Sequence, residues 1–328
     1  MMRIPASALA IALLVGCTNA GEDLGLPPLS VGTVTVGVIV DRDGTGTLTS
    51  FDTVYNGARI ALFMREGIDT FRIMNTNANG LANFTSLPIA RYRYALIPSS
   101  VGDTLPAVTF GTGEFQIRAD TMGGSGTIMV SYATLSIEAA RQAQAGHRVF
   151  VHGVVTSPLQ FFSDSAMFIR SGGRYLRITA AQHRPGRTGN NLGDSVIVLG
   201  TTGSDAGQPV LLGGRVLTVG VGPAPTPEEV TVAEVRTARA GALDAALVRL
   251  SGAKIADTAS VGAEWHVWVT DTLAMTDTAR VVFDAVLQVT KPAYAPGRRF
   301  TSRGVLVPSG SGTWSLKPRP VAGEVILN

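Results

Sequence analysis

The chain has little of most things that announce chemistry. Among 328 residues there is one cysteine; aromatics make up 6% and charged residues 16%. A lone thiol cannot close an intrachain disulfide or supply a thiolate zinc set, so disulfide-stapled and cysteine-rich zinc folds are excluded. The four histidines, His147, His152, His183 and His266, have no cysteine or carboxylate cluster beside them to complete a metal centre. His147 and His152 lie five apart on one predicted strand, so alternation sends them to opposite faces. There is no Gly-x-Ser-x-Gly elbow, no phosphate loop and no Gly-x-Gly-x-x-Gly joining strand to helix. Paired carboxylates leave no linear signature, so a carboxylate hydrolase is not excluded. Even so, few charges and glycine-rich hairpins favour binding or spacing over catalysis. A net charge near +3, from 27 basic and 24 acidic residues, argues for no partner.

What is present begins at the N-terminus. Arg3 supplies a positive charge, and Ile4 to Val15 is an almost wholly apolar run of about a dozen residues. A bilayer-spanning helix needs roughly 20, so this is an export signal rather than a span. Leu14-Val15-Gly16-Cys17 resembles the lipobox of bacterial lipoproteins. The resemblance implies cleavage before Cys17, acylation of its thiol and amino group, and a stable anchor, since more than one acyl chain is attached. Thr18 rather than an aspartate after the cysteine resembles the outer-membrane default of enterobacterial lipoproteins. The polar, proline-bearing stretch that follows reads as a tether. The expected place is therefore the bacterial cell envelope, with the membrane as one partner.

Charge is unevenly distributed. Residues 18–139 carry 7 basic and 11 acidic side chains, residues 140–222 carry 8 and 3, and residues 223–328 carry 11 and 10. Many valines, threonines and isoleucines and 38 glycines predict short strands joined by tight turns. Helical periodicity is confined to residues 136–146 and 226–246, which read as linkers. In the second, Thr226-Pro227-Glu228-Glu229 has the form of an N-cap, an N1 proline and acids in the first turn, while Val230, Val232 and Val235 argue against a helix.

From Gly32 to Leu135 strand patterns recur: "TVTVGVIV", "ARIALFM", "RYRYALIP", "EFQIRA" and "GTIMVSY". "YNGARIALF" and "TNANGLANFTSLPIARYRYAL" resemble the small transthyretin-like sandwiches of bacterial surface proteins, the Cna-B and SdrD-B type. The resemblance implies a turn at Asn79-Gly80, core positions at Phe84 and Leu87, a returning strand at Tyr92 or Tyr94, and a spacer role. Between the first two strands, "DRDGTGTLTSFD" places Asp41, Asp43, Thr45, Thr47, Thr49 and Asp52 at positions 1, 3, 5, 7, 9 and 12 of a calcium-loop pattern, with Gly46 at position 6. The alternative is a solvated hairpin tip rich in turn formers. Calcium binding by SdrD-B-like loops makes Ca²⁺ the one cofactor the resemblance implies.

The rest of the chain repeats itself. Residues 147–217 and 246–327 each read as a bent strand with a glycine, a hairpin, and a closing strand–turn–strand. Gly193-Asp194 aligns with Gly297-Arg298, Gly200 with Gly304, and Gln208–Leu212 with Thr313–Lys317. This pattern resembles an OB-fold barrel, of the kind found beside exported bacterial nucleases and phosphoesterases. OB barrels hold single-stranded nucleic acid on aromatic platforms and basic grooves on strands 2 and 3. In the first barrel those strands are "AMFIRSGGRYLRI", with Phe168, Arg170, Arg174, Tyr175 and Arg177, followed by Arg184 and Arg187. The opposing reading has Phe168 and Tyr175 filling the barrel and the arginines as ordinary surface charge. The second barrel offers Trp265, His266 and Trp268 in nearly neutral surroundings.

The expected architecture is thus all-β: an N-terminal β-sandwich followed by two small five-stranded OB-like β-barrels. The expected boundaries are a leader at 1–16, the lipidated cysteine and tether at 17–31, the sandwich at 32–135, and barrels at 136–222 and 223–328. The expected function is a non-enzymatic binding or adhesion module, with nucleic acid, polysaccharide or an envelope protein as partner. The alternatives are a scaffold subunit of an envelope assembly and an accessory domain of an exported hydrolase.

Overall fold

The computed structural model describes residues 30–64, 70–102, 107–110, 112–118, 120–183, 190–271, 277–310 and 312–327. The leader, Cys17, most of the tether, and Arg184 and Arg187 lie outside the described residues.

The first body contains β1 (Val31–Asp41), β2 (Thr53–Val54), β3 (Arg59–Met64), β4 (Thr70–Asn75), β5 (Leu81–Pro88), β6 (Arg91–Leu96), β7 (Ala107–Phe110), β8 (Thr112–Gln116) and β9 (Gly123–Ser131). One sheet is centred on β1, with β9 parallel to it, β5 and β2 antiparallel, and β7 beyond β9. The other runs β4-β3-β6-β8. Alternation along β1 sends Val34, Val36, Val38 and Val40 into the core, where Phe84, Leu87, Tyr92 and Tyr94 meet them. The chain reverses at Asn77–Gly80: the Asn77 carboxamide oxygen accepts from the Asn79 and Leu81 amides, and Gly80 supplies a φ of 71°. A side chain there would collide with Val54, so glycine is required on both counts.

The second body contains β10 (Ala133–Leu135), α1 (Ile137–Gln142), β11 (Arg148–Ser157), β12 (Met167–Ser171), β13 (Arg174–Thr179), β14 (Gln182–His183), β15 (Ser195–Asp205) and β16 (Gln208–Gly220). The third contains β17 (Glu228–Val230), α2 (Val232–Thr237), β18 (Leu247–Val261), β19 (Glu264–Thr270), β20 (Thr278–Phe283), β21 (Arg299–Gly310), β22 (Thr313–Pro318) and β23 (Val325–Leu327). In the second body the pairings close a ring, β11-β12-β13-β16-β15 and back to β11, with β13 and β16 parallel. In the third they close as β18-β19-β20-β22-β21, with β20 and β22 parallel. The aligned turns are equivalent in hydrogen bonding. The Gly193 amide donates to the Val155 carbonyl and the Val155 amide to Asp194; Gly297, Ile255 and Arg298 repeat both bonds.

Two expectations change. Residues 133–135, read as the end of the sandwich, pair in parallel with β11 of the first ring, and β17, inside the second stretch read as a linker, pairs in parallel with β18; each leads into a short capped helix, so both helical stretches are parts of the rings. Thr226-Pro227 does not start a helix; Glu228–Val230 is strand, and the N-cap is Thr231, in a capping box with Glu234. Val232 and Val235 then lie on the buried side of α2, so packing overrides their modest helix propensity.

The aromatics of the first ring are not in its core. That core is aliphatic, built from Val149, Val151, Val155, Ile169, Leu176, Ile178, Val196 and Val198 among others. Phe150 points the other way, with Ile197 and Leu199, into the core of the sandwich, where it meets Tyr132 edge to face at 5.9 Å. Phe162 and Phe168 form a separate cluster with Ala245 and Val305 of the second ring. Both junctions between bodies are therefore packed apolar seams.

The second seam is also tied by charge. Asp284, 1% exposed, accepts from the Ser163 amide at 3.1 Å, the Ser163 hydroxyl at 2.9 Å and the Val286 amide at 3.1 Å, and pairs with Lys317 Nζ at 2.7 Å. Lys317 in turn lies 4.9 Å over the Phe162 ring. Arg319 donates to the Thr156 carbonyl at 2.7 Å, and Arg141 reaches Asp244 at 3.1 Å. Burial alone would raise the Asp284 carboxyl, but the bonds from Lys317, Val286 and Ser163 outweigh it and hold it below its usual range. A depressed carboxylate contributes stability above its unfolded pKa, which is lost as pH falls through the folded value.

Asp284→Ala should therefore destabilise the protein by about 3 kcal/mol, because it leaves the buried Lys317 with only its longer contacts to Asp164 at 3.7 Å and Glu264 at 3.9 Å. Thermal unfolding at pH 7 and pH 3 checks this: the gap between variant and wild type should be wide at pH 7 and narrow at pH 3. An equal gap at both values would remove the ion pair from the account.

Candidate functional site

Two features outside the cores carry side chains able to hold a ligand: the Asp41–Asp52 loop at the first seam, and a groove on the outer face of the first ring.

The loop leaves the end of β1 and folds over its own carboxylates. Asp41 accepts from the amides of Asp43 at 3.0 Å, Gly44 at 2.7 Å and Gly46 at 3.0 Å. Asp43 accepts from the Thr45 amide at 3.0 Å and from the Thr49 hydroxyl at 2.8 Å. Asp52 accepts from Arg42 at 3.0 Å and Thr49 at 2.7 Å. The Thr45 hydroxyl reaches the Thr47 carbonyl at 3.2 Å. Ligand oxygens of Asp41, Asp43 and Asp52 lie within 4.8 Å of one another, with Asp41 and Asp43 buried. The structure thus brings all six sequence-derived positions into one loop, and the oxygen-only donor set is of the type calcium takes. One oxygen of each carboxylate already accepts two bonds, but Asp41 Oδ2 and Asp52 Oδ1 accept one each, from Gly46 and Arg42, and a second lone-pair direction on each suits a cation.

Burial pushes the Asp41 carboxyl above its usual range; its amide bonds oppose this, and neighbouring Asp43 adds to it. The loop also packs on the first ring: a Cβ on Gly44, whose φ is 68°, would meet Phe150 at 3.2 Å and Ile197 at 3.3 Å. A cleft of about 100 Å³ beside it is lined by Arg42, Asp43, Phe51, Phe150, Ile197 and Arg215. The loop backbone is therefore part of the first seam.

The groove is set by strand pairing. Phe168 pairs with Arg177 and Arg170 with Tyr175, which puts all four on the outer face, while Met167, Ile169, Leu176 and Ile178 turn inward. The expected outward face is present, but the second ring covers part of it. Phe168 is fully buried in the second seam, so it is neither a stacking platform nor barrel filling. Arg177 is 9% exposed and paired with Asp205 at 2.5 Å. Arg174, at the hairpin end, pairs with Glu138 at 2.7 Å, with both side chains exposed. Tyr175 packs its ring against the second ring; burial first, and the Glu228 carboxylate second, raise its phenol pKa.

Arg170 and Tyr175 line an open groove of about 630 Å³ with His152, Val154, Ser195 and Val219. Sequence reasoning missed His152 and Ser195 as neighbours of Arg170. The available signal was alternation along β11: Val154 pairs with both Arg170 and Ser195, and His152 is two residues away on the same face. A guanidinium, an imidazole and a hydroxyl in one groove suit a phosphate or carboxylate group. In the second ring His266 is buried, 3.2 Å from Glu264 and edge-on to Trp268, while Trp265 packs against the core under Lys291. That face presents no open aromatic pair.

No family model matches the chain, and no curated protein matches it. Among solved structures, the backbone protein of group B streptococcus pilus 2b is similar over 31% of this chain and 41% of its own, at 16% identity and a TM-score of 0.24. The chain thus spans about two-fifths of that protein. A streptococcal ancillary pilin is similar over 59% and 60%, at 17% identity and a TM-score of 0.25. The tetrameric p202 HIN2 is similar over 57% and 96%, at 13% identity and a TM-score of 0.30. Likeness this slight assigns no ligand.

The loop yields a test with a worked sign. A carboxyl whose folded pKa is raised costs stability as pH rises from about 4 through the folded value. Calcium at millimolar concentration offsets that cost only once the carboxylates are ionised. The melting temperature should rise with calcium at pH 7, not at pH 4, and Asp41→Ala should abolish the rise. No calcium effect at pH 7 would leave the loop as a self-satisfied turn.

Proposed function

We propose that the protein is an exported, lipid-anchored, non-catalytic module whose three β bodies are locked into one rigid unit for spacing and display at the bacterial envelope. The supporting observation is that every buried aromatic side chain on the outer surface of the first ring is committed to a seam: Phe150 to the sandwich, Phe162 and Phe168 to the second ring. Flexible linkers would have left those positions polar. Anchoring through Cys17, at the outer membrane, follows from the lipobox resemblance. It supplies a fixed end for a rigid unit to project from.

The groove supports a second, compatible reading, in which the displayed ligand is anionic and single-stranded nucleic acid is the first candidate. Arg170 and His152 offer phosphate contacts and the exposed edge of Tyr175 offers partial stacking. Polysaccharide or an envelope protein would use the same open face.

Scanning calorimetry tests rigidity. One cooperative transition is expected, and Phe168→Ala should split it into two; several transitions in the wild type would overturn the rigid unit. Cys17→Ser should move the protein from the membrane to the soluble fraction. For the groove, anisotropy of a labelled oligonucleotide at about 50 and 200 mM salt is the measurement. Binding should weaken with salt by a slope of about 0.7 per phosphate contacted, and Arg170→Ala should reduce it. Salt-insensitive or absent binding at 50 mM would exclude nucleic acid.

A further inference from the structure

The chain enters the sandwich at one end, and that end has a distinct surface. Val31 pairs with Pro88 in β5, the Thr33 amide donates to the Met122 carbonyl, and a Cβ on Gly32 would touch Ile117. The entry point of the tether is therefore beside the 88–91 and 116–122 turns. At this end Val31 is 44% exposed, Ile89 50%, Met122 38% and Met64 38%. Arg91 and Arg93 are exposed on the outer face of β6, and Arg118 is exposed just after β8. Register keeps them together: Arg91 pairs with Gln116, whose side chain accepts from Arg118 at 2.8 Å, and Arg93 lies opposite Phe63, 4.9 Å over its ring.

This end carries three basic and two acidic side chains, with Arg93 in register opposite Glu114, a small excess of the sign opposite to that of the whole domain. Residues 18–139 hold 7 basic and 11 acidic side chains, yet Arg91, Arg93 and Arg118 gather here among exposed apolar residues, against Glu114 and Asp120. Isolated exposed apolar side chains mean little. Several of them interleaved with arginines, on the end where the chain arrives, make an amphipathic surface of the kind that sits at a lipid headgroup boundary.

We propose that the tether end of the sandwich rests on anionic phospholipid, with Arg91, Arg93 and Arg118 on headgroup phosphates and Ile89 and Met122 reaching into the interface. The geometry rests on the reading of Cys17 as the lipid anchor. From Cys17 to Val31 the tether can extend at most about 50 Å, so anchoring keeps this end within that distance of the bilayer. Docking would set the first seam, beyond the Asp41 end of β1, on the side away from the membrane.

The test uses the mature chain carrying Cys17→Ser, which has no acyl group, so that vesicle binding is read independently of anchoring. Sedimentation with phosphatidylglycerol-containing vesicles and with pure phosphatidylcholine vesicles is compared. Binding to the anionic vesicles only is expected, falling with salt, and each of Arg91→Ser, Arg93→Ser and Arg118→Ser should weaken it about fivefold. Ile89→Ser should weaken it also, while Arg170→Ala should leave it unchanged. These positions are exposed, and the melting temperature of each variant checks folding. Equal binding to both vesicle types, no binding to either, or loss on Arg170→Ala alone would overturn the proposal. Failure of the anchor reading shows separately, as a wild-type chain that lacks acyl groups when purified from membranes.

Discussion

The arrangement of the whole molecule depends on what the first ring does with its aromatic side chains. Its interior is filled by valine, isoleucine and leucine, so Phe150 and Phe168 are left to face outward, and each is buried only because another body covers it. Phe150 is buried when the sandwich docks, and Phe168 when the second ring docks. A phenylalanine exposed on an isolated ring would lose the stabilisation of roughly 2–3 kcal/mol that burial brings. Each body thus supplies part of its neighbour's core, and stability and shape are one property here.

Polar groups then determine how the bodies meet. At the second seam Asp284 and Lys317 neutralise each other in a space that excludes water, and Ser163 fixes the carboxylate's orientation from the other body. Such a pair is weak as a source of net stability; both charges lie on the second ring, so the constraint on docking comes from the two bonds that Ser163 of the first ring makes to Asp284. Nearby, Arg319 crosses from the second ring to the Thr156 carbonyl while holding Glu324. The first seam is organised differently: the carboxylates of the Asp41 loop turn inward to their own amides, and Gly44 presents bare backbone to Phe150.

This division explains why the two candidate ligand features differ so much in character. The acidic loop is local in its hydrogen bonds, which run between residues at most 10 apart, although its Gly44 backbone abuts Phe150 and Ile197 at the first seam. The groove depends on docking, because the second ring takes Phe168 and crowds Tyr175, leaving Arg170 with His152 and Ser195. A surface that would serve single-stranded nucleic acid in a free ring is half used as an interface.

Composition and pattern by themselves determined the all-β class, the duplicated five-strand unit, the equivalent turns at Gly193 and Gly297 and the six positions of the acidic loop. Each of these rests on period-2 alternation, on glycine where φ must be positive, or on residues close in sequence. Only the tertiary structure decided that residues 133–142 and 228–237 are parts of the rings, that Phe168 and Arg177 are withdrawn from the ligand face, and that His152 and Ser195 join Arg170. The physical reason is that alternation tells which side of a strand a residue takes, and nothing local tells whether that side will meet solvent, a ligand or another body. That is settled by contacts between residues a hundred or more apart, as between Arg141 and Asp244 or Ser163 and Asp284.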